Sequence, residues 1–93
     1  MTTAYEIASH IRSRHEFSGE MQMHKLLYYA QAWSLAWDGV PLFDDRIEAW
    51  KNGPVVPSLR HTTVMADEDV RLTDQQKANI DAVLAHYADN SGT

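Results

Sequence analysis

The sequence predicts a mostly α-helical fold: a compact four-helix domain around one central hydrophobic helix, with a Gly/Pro-rich loop or short strand between the second and third helices. Residues 20–38 carry apolar side chains at steps of three and four, the spacing of a helix face. Gly39 and Pro41, then Gly53, Pro54 and Pro57, fall where helices must stop or restart. A chain of 93 residues with no cysteine has room for one small core and no disulfide to reinforce it.

The first helix is expected over residues 3–14. Thr2 or Thr3 can cap it, Glu6 falls in its first turn, and Tyr5, Ala8 and Ile11 recur at helical spacing. A turn at Phe17-Ser18-Gly19 follows. The helix over 20–38 is the strongest signal. Met23, Leu26, Leu27, Ala30, Trp33 and Trp37 form its stripe, and Tyr28, Leu35 and Ala36 widen that stripe over most of the circumference. A helix so apolar is expected to be surrounded by partners, with Leu26, Leu27, Ala30, Trp33 and Trp37 buried. Gly39 can take the left-handed conformation of a C-terminal cap, and Pro41 prevents continuation.

Residues 40–56 differ in kind. Asp44-Asp45 reads as a solvated polar break, and Arg46-Ile-Glu-Ala-Trp-Lys51 as a short strand or one irregular turn. Asn52-Gly53 is a turn dipeptide, followed by the fixed dihedral of Pro54. Pro57 opens a short third helix to about Val64, despite the β-branched run Thr62-Thr63-Val64. Asp67-Glu68-Asp69 is an acidic linker. Thr73 and Gln76 form a capping box for the last helix, with Leu72 stapled against the Lys77 stem or Ala78. Ile80, Val83, Leu84 and Tyr87 carry that helix to about Ala88, and 89–93 reads as a frayed tail, all within one domain of 1–93.

Composition excludes several functions. Eight Lys and Arg against thirteen Asp and Glu give a net charge of −5, which opposes a polyphosphate, so no nucleic-acid partner is expected. No apolar run reaches the roughly 20 residues of a membrane span, and the start lacks the pattern of a signal peptide. A reducing cytoplasm is the expected compartment. The five histidines read as half-exposed polar positions, because no His-Glu-x-x-His pattern is present. No serine stands in a nucleophile-elbow context and no phosphate-binding glycine loop exists, so neither catalytic residues, metal nor cofactor are expected. Glu48 reads as a buried carboxylate bonded to the loop backbone or to Lys25.

The aromatic residues thicken a small core, and one or two of them are expected as partly exposed anchors. Tyr28 and Tyr29 point about 100° apart on a helix and should differ in burial. Trp50, beside Asn52-Gly53, is the best candidate for a presented side chain.

Three motifs resemble the Panacea family: Met23-His-Lys-Leu-Leu-Tyr28, Gly39-Val-Pro-Leu-Phe43, and Ile47-Glu-Ala-Trp-Lys-Asn-Gly-Pro-Val-Val-Pro57. The resemblance spans about Ile7 to Tyr87. It implies a helical, non-enzymatic domain that binds another protein. Family members neutralise small toxins by direct binding or by delivering them to a protease, and others are carried by phages. It also implies a further helix and a short His- and Trp-containing ending beyond the Tyr87 position. Without these, uncovered apolar surface favours a homodimer or a host partner. The expected function is thus a phage-associated accessory protein that binds and modulates a host protein, in the manner of host takeover. The alternative is an antitoxin that neutralises a small toxin. Trp50, Tyr29, Lys51, Lys25 and Pro54 are the expected protein-binding residues.

Overall fold

The computed structural model describes residues 2–16, 19–51, 53–67 and 70–90. Three helices, α1 (Ala4–Arg14), α2 (Glu20–Asp38) and α3 (Asp74–Asn90), are joined by a two-stranded hairpin, β1 (Glu48–Trp50) and β2 (Gly53–Val55), and a 3-10 turn at Pro57–Leu59.

Local chemistry fixes the helix ends. Thr3 accepts from the Glu6 N–H while Glu6 accepts from the Thr3 N–H, a reciprocal capping box at the start of α1. Thr73 and Gln76 repeat it on α3, at 2.8 and 3.0 Å. Gly39 closes α2 at φ 71°, donating its N–H to the Leu35 carbonyl.

The core forms where Ile7, Ala8 and Ile11 of α1 meet Met23, Leu26, Leu27 and Ala30 of α2, with Leu42, Phe43, Val56, Leu59 and Val64 from the connections and Ile80 from α3. Leu72 packs against this cluster. At helical spacing the buried positions of α2 share one side. The hairpin and α3 flank that side, and α1 lies against it.

Polar side chains of α2 tie down the chain that follows it. Gln31 accepts from the N–H groups of Leu42 and Phe43 at 2.7 and 3.2 Å and donates to the Phe43 carbonyl at 2.9 Å. Ser34 donates to the Val40 carbonyl at 2.8 Å. His24, buried, accepts the Val56 N–H on Nδ1 at 3.1 Å, which fixes the exit of β2. Asn79 of α3 donates to Asp38 at 2.6 Å.

Several expectations are corrected. The third helix shrinks to one 3-10 turn. Thr62, Thr63 and Val64 lie outside any helix, in line with their β-branching, and His61 takes φ 61°, which no α-helix accommodates. Asp44-Asp45 is more than a solvated break, because Asp45 accepts from the Ala4 N–H at 2.8 Å and from the Ser58 hydroxyl. Burial opposes ionisation of Asp45, but these donors outweigh it and hold the carboxyl below its ordinary range. His10 and His24 are buried rather than half-exposed. Gly53 pairs with Trp50 as the first residue of β2. α3 runs to Asn90, so residues 89 and 90 are helical. The expectations on Phe17, Ser18, Asn52, Glu68, Asp69 and 91–93 lie outside the described residues.

Candidate protein-binding surface

Seven residues make nearly two helical turns, so Met21, Tyr28 and Leu35 stack along one line of α2, with Ala32 between them and Tyr29 and Ala36 alongside. All six are exposed. This face lies opposite the buried stripe and is apolar along the helix. The expectation that α2 is enclosed on all sides is corrected: α1, the hairpin and α3 cover only part of its circumference.

The same geometry corrects two tryptophans. Trp33 is half-buried, and Trp37 is 62% exposed. Their rings meet at 4.5 Å between centroids, and His86 of α3 lies 5.7 Å from Trp33, so the three make an aromatic cap near the C-terminal end of α2. Tyr28 and Tyr29 are not unequal in burial, at 44% and 43% exposed. They straddle the open face, with Tyr29 against Tyr87 of α3 at 6.0 Å.

Of the five binding residues expected from sequence, Trp50 is 39% exposed, Lys51 and Tyr29 are exposed, and Lys25 and Pro54 are half-buried. Lys25 runs beside the hairpin, its Cε 3.8 Å from where a Cβ on Gly53 would stand. Tyr29 stands one turn further along the same side of α2, so Lys25 links the hairpin to the tyrosines. Pro54 lies in β2, in the strand next to Trp50.

Trp50 is held from two sides. Its indole N–H donates to Glu48 at 2.8 Å, and the Arg60 guanidinium lies 4.4 Å from the ring centroid. Glu48 also pairs with Arg46 at 2.9 Å. It is therefore a half-buried bracket for Trp50, and among the described residues it bonds neither Lys25 nor the loop backbone. Sequence periodicity missed Arg60, Met21, Leu35 and Ala32 as surface members. The Trp50-to-Arg60 stacking joins residues with no local pattern between them.

Elsewhere, an open groove of about 390 Å³ lies between α1, the start of α2 and the 61–64 segment, lined by Arg12, Glu20, Met23, His61 and Val64. Glu20 is engaged there: the His61 N–H, at 2.8 Å, holds its carboxyl below the ordinary range, with a smaller contribution from His24. Among the described residues no three His, Asp or Glu side chains converge as metal ligands, and no helix is long and apolar enough to cross a membrane.

The surface thus has the composition of an interaction face, aromatic and aliphatic with a few cations, on a fixed helix–hairpin frame. The family model described as antitoxin SocA-like, Panacea domain, matches residues 23–93, and the chain belongs to that family. The matched span takes in α2 from Met23 onward, the hairpin and α3, and hence this surface apart from Met21; it begins at Met23 rather than near Ile7. No curated protein and no solved structure matches the chain.

Proposed function

We propose that this chain is a non-enzymatic protein-binding module of the antitoxin type, and that its contact surface is the open face of α2 with the Trp50 edge of the hairpin. The observation that carries this reading is the row Met21, Tyr28, Ala32 and Leu35, exposed on a helix whose opposite side is buried. A fixed apolar face loses little conformational freedom on docking, so most of its burial counts toward affinity. Tyr29 and Trp50 are the anchors, Lys25 and Lys51 supply positive charge, and Pro54 stiffens the strand beside Trp50. The family description, antitoxin SocA-like, supports a toxin protein as the partner.

The sequence also led to an accessory protein carried by a phage and aimed at a host protein. It would use the same surface, and growth separates the two. Expressed alone in a bacterial cell, an antitoxin is harmless, and it restores growth when the product of a small neighbouring gene is toxic. Slowed growth on expression alone would favour the host-directed reading. Tyr29→Ala, Leu35→Ala and Trp50→Ala proteins, shown to be folded by circular dichroism, should lose the toxin in co-purification. Truncating an aromatic hot spot costs at least about 2 kcal/mol, roughly thirtyfold in affinity. Full retention in all three would place the binding surface elsewhere. A symmetric dimer across α2 is the competing occupant of the face, and sedimentation of these variants against the parent protein distinguishes it.

A further inference from the structure

The hairpin pairs Glu48 with Val55, Ala49 with Pro54 and Trp50 with Gly53. Proline has no N–H, so Ala49–Pro54 must be the non-hydrogen-bonded pair of the antiparallel ladder. The bonds between strands then belong to the pairs on either side. It follows that the N–H and C=O of Ala49 point away from β2. Among the described residues the sheet has two strands, and no strand lies beside that outer edge. The other side of the hairpin is closed, because β2 packs on α2 and the Val56 N–H beyond it is taken by His24. Ala49, Trp50 and Lys51 are all exposed.

Charge selects what could pair there. Lys25, Arg46, Lys51 and Arg60 flank the hairpin, half of the eight Lys and Arg in a chain of net charge −5. From Arg46 to Arg60 the one carboxylate is Glu48, already engaged by Arg46 and the Trp50 indole. A second copy of the chain would bring the same basic hairpin, with Arg46 and Lys51 next to β1, to that edge and be repelled. A carboxylate-bearing strand would not.

Resting on the protein-binding reading above, we propose that the outer edge of β1 takes an extended acidic segment of the partner protein as an added strand. Ala49 supplies the main-chain hydrogen bonds, Lys51 and Arg46 receive its carboxylates, and Trp50 packs against its flank.

The test uses isotope-labelled protein and three synthetic ten-residue peptides, capped at both ends, that alternate Thr with Glu, with Gln or with Lys, plus a ten-nucleotide oligothymidylate. The Thr-Glu peptide should shift the amides of Ile47 to Lys51, most of all that of Ala49, and its affinity should fall at least threefold between 50 and 500 mM salt. The Gln and Lys peptides should bind at least threefold more weakly. Ala49→Pro removes the outward N–H without touching a bond of the ladder and should reduce Thr-Glu binding at least fivefold, with an unchanged melting temperature. In case proline deforms the strand, Lys51→Glu leaves the backbone intact and should still cost at least threefold for Thr-Glu while improving Thr-Lys. Shifts confined to Tyr28 and Leu35, binding indifferent to peptide charge, or preference for the oligonucleotide would overturn the proposal. A toxin still captured by Ala49→Pro and Lys51→Glu but lost from Leu35→Ala would sink the added strand and leave the protein-binding reading intact.

Discussion

Gln31 is the side chain on which the turn after α2 depends, and its replacement gives a measurable test of the fold. Its amide makes three hydrogen bonds to the backbone of Leu42 and Phe43, two as acceptor and one as donor. Both of those residues have their side chains in the core. A bond of this kind contributes about 0.5–1.5 kcal/mol net, and an orphaned buried group costs more. Gln31→Ala should therefore destabilise the protein by about 2–4 kcal/mol. A domain of this length has on the order of 5–14 kcal/mol in total, so the melting temperature should fall by about 10 °C or more. Gln31→Met keeps the length and packing of the side chain but makes none of the bonds, and should lose nearly as much as the alanine variant. Urea unfolding followed by tryptophan fluorescence, extrapolated linearly to water, measures both. If Gln31→Met stays within about 0.5 kcal/mol of the parent, the clamp contributes nothing net and the turn is held by Leu42 and Phe43 alone.

Leu27, fully buried between α2 and its neighbours, should cost about 2–5 kcal/mol as Leu27→Ala in the same urea assay, and an unchanged midpoint would mean the core is elsewhere. Gly53 sits at φ 127°, a conformation closed to side chains. A Cβ there would meet only Lys25 Cε at an ordinary 3.8 Å, so Gly53→Val should cost about 1–3 kcal/mol through the backbone and raise the mobility of the hairpin in relaxation measurements. His10 is buried, with Asp81 at 3.8 Å and neither ring nitrogen hydrogen-bonded. Burial pushes its pKa below 6.5, with Arg14 and Lys77 adding to the effect and Asp81 opposing it. Above about pH 6.5 it is neutral in both states; below that the unfolded chain takes up the proton first, so stability should fall as pH drops from 7 to 5. His10→Phe should flatten that slope, and an identical slope in both proteins would assign it to other groups.

What the sequence made legible was local. Thr3 with Glu6 and Thr73 with Gln76 are three residues apart, and each pair is a capping box in the structure. Residues 20–38 carry the helical period, and Gly39 with Pro41 end it at the observed boundary. What was hidden was long-range and polar. Asp45 reaches the start of α1, His24 the exit of β2 and Asn79 the end of α2, none with a periodicity to betray it. Helical spacing shows that Leu26, Ala30, Trp33 and Trp37 share one side. It does not show how far neighbouring elements extend along that side, and near Trp37 they leave the ring open. Of the residues proposed for binding, Trp50, Lys51 and Tyr29 could be picked out by residue type and turn context. Met21 and Leu35 could not, because an apolar residue on an apolar helix reads as core until the covered arc is known.

The composition of the open face explains how it can remain uncovered. A helix apolar all round would normally be enclosed, and exposing leucines along its whole length would invite aggregation. Here the row instead holds two tyrosines, whose hydroxyls can stay hydrated, and Ala32 and Ala36, which expose little area. Met21 and Leu35 are the strongly apolar members, a length of helix apart. Such a face tolerates water when alone, yet offers a flat floor of small side chains between aromatic edges, where a partner's helix or loop can approach the α2 backbone closely. The neighbouring hairpin adds what that floor lacks: an unpaired strand edge and a local excess of positive charge. Affinity would come from burial on α2 and selectivity from the charged edge, so substitutions on the two should have different signatures. Leu35→Ala should weaken partner binding by a factor nearly independent of salt. Lys51→Glu should weaken it most at low ionic strength and progressively less as salt screens the field. Parallel salt dependence for the two variants would mean that the helix face and the hairpin do not divide the recognition in this way.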